Sequence, residues 1–169
     1  LADSFALAQE RKVYIEELAS LSTKEEYWEY FTRNIVSRDL EEGLVLPAFG
    51  GKDFYCVYKK IAKSGLVAYA FKPISETSTE KPVLCFRPTQ VALHFPDAVL
   101  ETLLEDLHWM GVGYEGFHEA WKELDELMED PCFRSHKEKI ILAGYSLGGA
   151  YAQYFLAHQD NWRRVSEAI

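Results

Sequence analysis

The chain has 169 residues, 48% of them hydrophobic and 27% charged, with a formal net charge of −9. That length and apolar content fit one globular domain and exclude a disordered chain. The acidic balance, with no Lys/Arg run longer than two, argues against a nucleic-acid-binding face and against attraction to an anionic membrane surface.

In chain order, the first dozen residues carry Asp3, Glu10 and Arg11 and do not read as a signal peptide. Residue 1 is Leu rather than Met, so the chain is expected to come from inside a longer one. Tyr14, Ile15, Leu18 and Leu21 recur at helical spacing. Thr23 and Glu26 form a T-x-x-E capping box that starts a second helix, whose buried face carries Tyr27, Phe31 and Ile35. Residues 1–43 thus read as a helical region packed on the rest. Leu44 to Gly51 reads as a loop. Asp53–Ile61 and Leu66–Ile74 read as a β-hairpin about Lys63-Ser64-Gly65. Ser75–Lys81 is a loop and Pro82–Arg87 a short strand.

Two helices follow, one with a Leu100, Leu103, Leu104 and Leu107 stripe. The other carries a stripe of Phe117, Ala120, Trp121, Leu124, Leu127 and Met128 and ends at Asp130-Pro131. Lys139–Gly144 is another strand, and Leu147–His158 a helix. Arg164–Ile169 looks like the approach to one more strand, beside the one ending at Gly144. Strand, helices, strand, helix is an α/β pattern with a parallel crossover, and the hairpin adds antiparallel strands at one edge. No internal repeat or domain linker is visible. No run reaches the roughly 18 apolar residues of a membrane-spanning helix. Cys56, Cys85 and Cys132 have the spacing of neither a disulfide framework nor a zinc site. They are expected to be reduced, space-filling thiols, which favours a cytoplasmic over a secreted setting.

The chemistry is concentrated in Gly144-Tyr145-Ser146-Leu147-Gly148-Gly149-Ala150. It fits G-x-S-x-G, in which a strand turns sharply into a helix and leaves a serine exposed on a strained backbone. Side chains at Gly144 and Gly148 would collide as strand and helix close together. The helix N-terminus then offers N–H groups to a developing anion. Three fixed positions match by chance in roughly 5% of chains this long. The apolar strand before and the helix after give the match its weight.

The segment Gly144–Ala150 resembles the G-H-S-L-G-G-A motif of class 3 (fungal-type) lipases, which are α/β-hydrolases; Tyr145 stands where the family usually has His. Val83–Thr89 is similar to the family strand ending in F-R-G-T/S, and Gly116-Phe117 to its H-x-G-F segment. The resemblance spans roughly residues 80–160. It implies an α/β-hydrolase-like mixed sheet and carboxylic ester hydrolysis, of lipase or esterase type, through an acyl-enzyme on Ser146. It also implies oxyanion donors from the Leu147 N–H and from Thr89. Pro88 replaces the family glycine, which fixes φ and removes an N–H beside the second donor. The family places a mobile lid after Thr89. Here Val91, Leu93 and Phe95 could cover an acyl pocket or pack as core. No cofactor or metal is implied.

A serine hydrolase also needs a base and an acid to orient it, which in this fold follow the serine in chain order. His94, His108, His118 and His136 precede Ser146. His158 follows, but twelve helical residues put it about 18 Å away. Asp160 and Glu167 are the only acids downstream. The chain is therefore expected to be the N-terminal portion of a larger hydrolase, with the remaining C-terminal part and an ester or lipid substrate as partners. The alternatives are an atypical catalytic arrangement and a catalytically inactive, lipase-like interaction protein.

Overall fold

A computed structural model describes residues 12–88, 96, 98–99, 102, 114–134 and 139–169. The leucine stripe at Leu100–Leu107, Thr89 and all of the Gln90–Pro96 segment except Pro96 lie outside these residues. So do His94, His108 and His136.

Among the described residues six strands form one mixed sheet in sequence order. They are β1 (Val45–Pro47), β2 (Phe54–Lys63), β3 (Leu66–Pro73), β4 (Val83–Phe86), β5 (Ile140–Gly144) and β6 (Val165–Ala168). β1 to β4 pair antiparallel. β4, β5 and β6 pair parallel, so the strand expected beside Gly144 is present. The architecture is α/β.

Helix α1 (residues 12–20) and helix α2 (Lys24–Tyr30) pack on one face of the sheet. The Thr23 hydroxyl caps α2 by accepting from the Glu26 N–H at 3.1 Å. The helix does not continue as an α-helix to Ile35. It widens into a π-helical turn over Phe31–Ile35, in which the Val36 N–H donates to the Phe31 carbonyl at 3.1 Å. Tyr27, Phe31 and Ile35 are all buried as expected. The Tyr27 hydroxyl donates to the Pro47 carbonyl at 2.7 Å and ties α2 to the sheet edge. That edge corrects the sequence reading: within the expected loop, Val45–Pro47 pairs with β2. Pro47 is tolerated because an edge strand leaves one side of its ladder unpaired.

The hairpin turns through Ser64 and Gly65, with φ of 45° and 83°. A two-residue type I′ turn needs positive φ at both positions. In β2 the register shifts between Val57 and Lys59, so Tyr58 is an extra, bulged residue. The bulge exchanges the faces: Tyr55 and Val57 join the core under α1 and α2, while Ile61 joins the opposite core. Side-chain alternation has period two, so one extra residue is enough to do this.

The opposite face is covered by α3 (Tyr114–Glu129) and α4 (Leu147–Ala157). Phe117, Ala120, Leu124, Leu127 and Met128 are buried there, but Trp121 is not core: it is 39% exposed. It stacks instead on His118 and His158 at the helix surface. A Cβ on Gly116 would sit 3.1 Å from the Ser64 carbonyl, so this glycine lets α3 lie against the hairpin turn. All three cysteines are free thiols, but only Cys85 fills buried space; Cys56 is half-buried and Cys132 exposed. No helix among the described residues is long and apolar enough to cross a membrane.

Candidate active site

β5 ends at Gly144 and α4 begins at Leu147, so Tyr145 and Ser146 alone make the turn. Ser146 has φ 59° and ψ −123°. A non-glycine residue held there costs about 1–3 kcal/mol and persists only where its surroundings fix it. Here the first helical turn does so. The Gly148 N–H donates to the Tyr145 carbonyl at 3.0 Å, and the Gly149 and Ala150 N–H groups donate to the Ser146 carbonyl at 2.9 and 3.3 Å.

The two glycines are required by contact. A Cβ on Gly144 would lie 2.3 Å from the Gly148 carbonyl oxygen, and a Cβ on Gly148 2.4 Å from that of Phe86. Strand β5, helix α4 and strand β4 therefore meet backbone to backbone. Gly149 is less confined, at 3.4 Å from the Gly144 carbonyl oxygen. The turn expected from the small-x-Ser-x-small pattern is thus present in detail.

Ser146 lies at the carboxyl end of the parallel strands, at the helix N-terminus where the aligned peptide dipoles favour negative charge. Among the described residues its hydroxyl makes no hydrogen bond and the Leu147 N–H has no backbone acceptor. Both groups are half-buried. The expected second donor, Thr89, lies outside the described residues. The strand that leads to it is where the reading required: Phe86 pairs with Gly144 in a parallel register.

The described histidines are held elsewhere. His158 Nε2 lies 3.2 Å from the Asp125 carboxylate, and its ring packs 4.8 Å from that of Trp121. One continuous helix, Leu147–Ala157, separates it from Ser146, a rise that puts the two about 18 Å apart. His118 stacks between Tyr114 and Trp121 on α3. Asp160 is exposed in the turn after α4, and Glu167 is exposed on β6. Neither described histidine is placed to take a proton from Ser146.

One neighbour of the turn was invisible to sequence reasoning. The Arg33 guanidinium, from the π-helical turn, sits over the Tyr145 ring at 5.1 Å from its centroid. Nothing in the local pattern of residues 31–35 announces a contact with a residue more than a hundred positions away. Among the described residues no cluster of three or more His, Cys, Asp or Glu side chains offers a metal site. Comparison of the chain with family models, curated proteins and solved structures finds no match.

Proposed function

We propose that this chain carries the nucleophile of a carboxylic ester hydrolase of the lipase or esterase type, on an α/β-hydrolase-like sheet. The observation that carries this reading is the Ser146 backbone, held at φ 59° and ψ −123° between β5 and α4. In the proposed reaction Ser146 Oγ bonds to the ester carbonyl carbon, and its proton passes to a base. The oxyanion is held by the Leu147 N–H, with Thr89 as the proposed second donor. Collapse expels the alcohol, which takes up a proton, and water then releases the acid from the acyl-enzyme.

The base and its orienting acid are not among the described residues. In this fold the acid and the histidine follow the serine in the chain, and His158, Asp160 and Glu167 are all held away from Ser146, so residues 1–169 should hydrolyse p-nitrophenyl esters weakly and react slowly with a fluorophosphonate probe, with the adduct on Ser146. A chain that also carries the acid and histidine should be faster by several orders of magnitude, and Ser146→Ala should abolish both signals. His158→Ala should leave labelling unchanged. Rapid, Ser146-dependent turnover by residues 1–169 that needs His158 or His118 refutes the placing of the base elsewhere and leaves ester hydrolysis standing.

The positions of His118 and His158 favour a second reading, a lipase-like interaction protein that keeps the turn without the chemistry. It takes first place if Ser146 stays unlabelled even when the acid and histidine are supplied.

A further inference from the structure

Ser146 stands between two side chains anchored on opposite faces of the sheet. On β5, Ile141 and Ala143 belong to the core under the N-terminal helices, and Ile140 and Leu142 to the core under α3 and α4. Alternation carries Tyr145 on to the N-terminal side, and there the Arg33 guanidinium covers its ring, 5.1 Å from the centroid. Leu147 packs against the opposite core. The turn is therefore held one residue before the serine and one residue after it. A strained backbone persists only under such constraint from its surroundings.

In the proposed reaction Ser146 needs its hydroxyl free, and Gly144 has no side chain. Tyr145 is thus the handle through which the N-terminal region can hold the turn. Its carbonyl accepts the Gly148 N–H at 3.0 Å, so a shift of Tyr145 moves the first turn of α4 and the Leu147 N–H with it. Arg33 reaches the ring from a firm base. Phe31 and Ile35, the ends of the π-helical turn, are 0% and 2% exposed. The Thr32 hydroxyl between them donates to the Trp28 carbonyl at 2.8 Å. Turns of this kind are rare and occur frequently at functional sites. A guanidinium is drawn to a tyrosine face by its charge and fits it by its plane.

We propose that Arg33 is a positioning residue: through the Tyr145 ring it holds the strained turn, so that docking of the N-terminal helices sets the attack geometry of Ser146. The effect on acylation rests on the ester hydrolase reading; the hold on the turn does not.

In residues 1–169 the hold is read by NMR exchange of the Gly148 amide, and its effect on Ser146 by the rate of fluorophosphonate labelling. In Arg33→Met the Gly148 amide should exchange about three- to ten-fold faster, and labelling should slow by a like factor. Arg33→Lys, which can still place a cation over the ring, should stay within about two-fold of the parent in both. Arg38→Met removes the same kind of contact elsewhere in the N-terminal region, with the Tyr14 ring at 3.8 Å, and should move neither. In a Tyr145→Leu background Arg33→Met should have no further effect. This double-mutant cycle separates the Tyr145 contact from the other interactions of Arg33, Glu29 at 4.0 Å among them. The positioning role is overturned by unchanged Gly148 exchange in Arg33→Met, by an equal loss in Arg38→Met, or by the same loss with and without the Tyr145 ring. Arg33→Lys as damaging as Arg33→Met, or labelling that ignores a ten-fold change in exchange, overturns it too. If exchange responds as stated while Ser146 stays unlabelled even with the acid and histidine supplied, the hold on the turn stands and the ester hydrolase reading falls.

Discussion

The close approach of Gly148 to β4 gives the sharpest test. In Gly148→Ala the new methyl would stand 2.4 Å from the Phe86 carbonyl oxygen. Ordinary contact begins near 3.4 Å, so α4 and β4 must separate by up to about 1 Å. Overpacking of this kind costs about 1–3 kcal/mol, and the upper end applies because the obstacle is backbone. Alanine regains up to about 1 kcal/mol of helix propensity. The net loss is about 2 kcal/mol, which for a chain of this size lowers Tm by roughly 4–8 °C. Gly149→Ala is the control: it has the same chemistry one residue on, but its methyl meets the Gly144 carbonyl oxygen at a tolerable 3.4 Å, so its Tm should stay within about 2 °C of the parent. Thermal unfolding followed by circular dichroism reads both. The same displacement moves the Leu147 N–H, and a 1 Å misplacement costs about a hundred-fold in rate. Fluorophosphonate labelling of Gly148→Ala should therefore slow by about that factor. Equal melting temperatures for the two variants would refute the close-contact argument.

Two further outcomes follow from burial and from a single hydrogen bond. With a thiol reagent, exposed Cys132 should react first and half-buried Cys56 more slowly. Cys85 should react only on unfolding, because burial pushes its thiol well above the ordinary range and closes off access. The Tyr58 hydroxyl donates to Asp130 at 2.5 Å, which holds that carboxyl below its ordinary 3.8 and pushes the phenol up to about 12. A depressed carboxyl stabilises the folded state above its unfolded value, and that contribution is lost as pH falls through the folded one. The stability gap between the parent and Tyr58→Phe should therefore be full near neutrality and close below pH 3.8. A gap independent of pH contradicts the bond.

Elements whose signal is local were legible in the sequence. The Thr23 cap, the Ser64-Gly65 turn and the Gly144–Gly148 pattern each depend on residues within a few positions of one another, and the structure has all three. Contacts made across the fold left no such trace. Val45–Pro47 is a strand only because β2 lies beside it. The π-helical turn at Phe31–Ile35 has no composition of its own, so the meeting of Arg33 with Tyr145 could not be foreseen. Trp121 fits the apolar stripe of α3, yet it finds aromatic partners at the surface. Its place depends on His158, which belongs to the end of another helix.

The bulge at Tyr58 means that β2 is written in two reading phases. Up to Val57 the odd positions belong to the N-terminal helices; beyond Tyr58 the odd position Ile61 belongs to α3. Point substitutions leave this phase intact, and so does loss of the residue that breaks it. Without Tyr58, Lys59 would follow Val57 directly and still stand opposite Ala70, so Ile61 would keep its place opposite Ala68 and facing α3. The bulge is therefore a point at which β2 tolerates a change of length as well as of residue. What a deletion there removes is the Tyr58 side chain and its bond to Asp130.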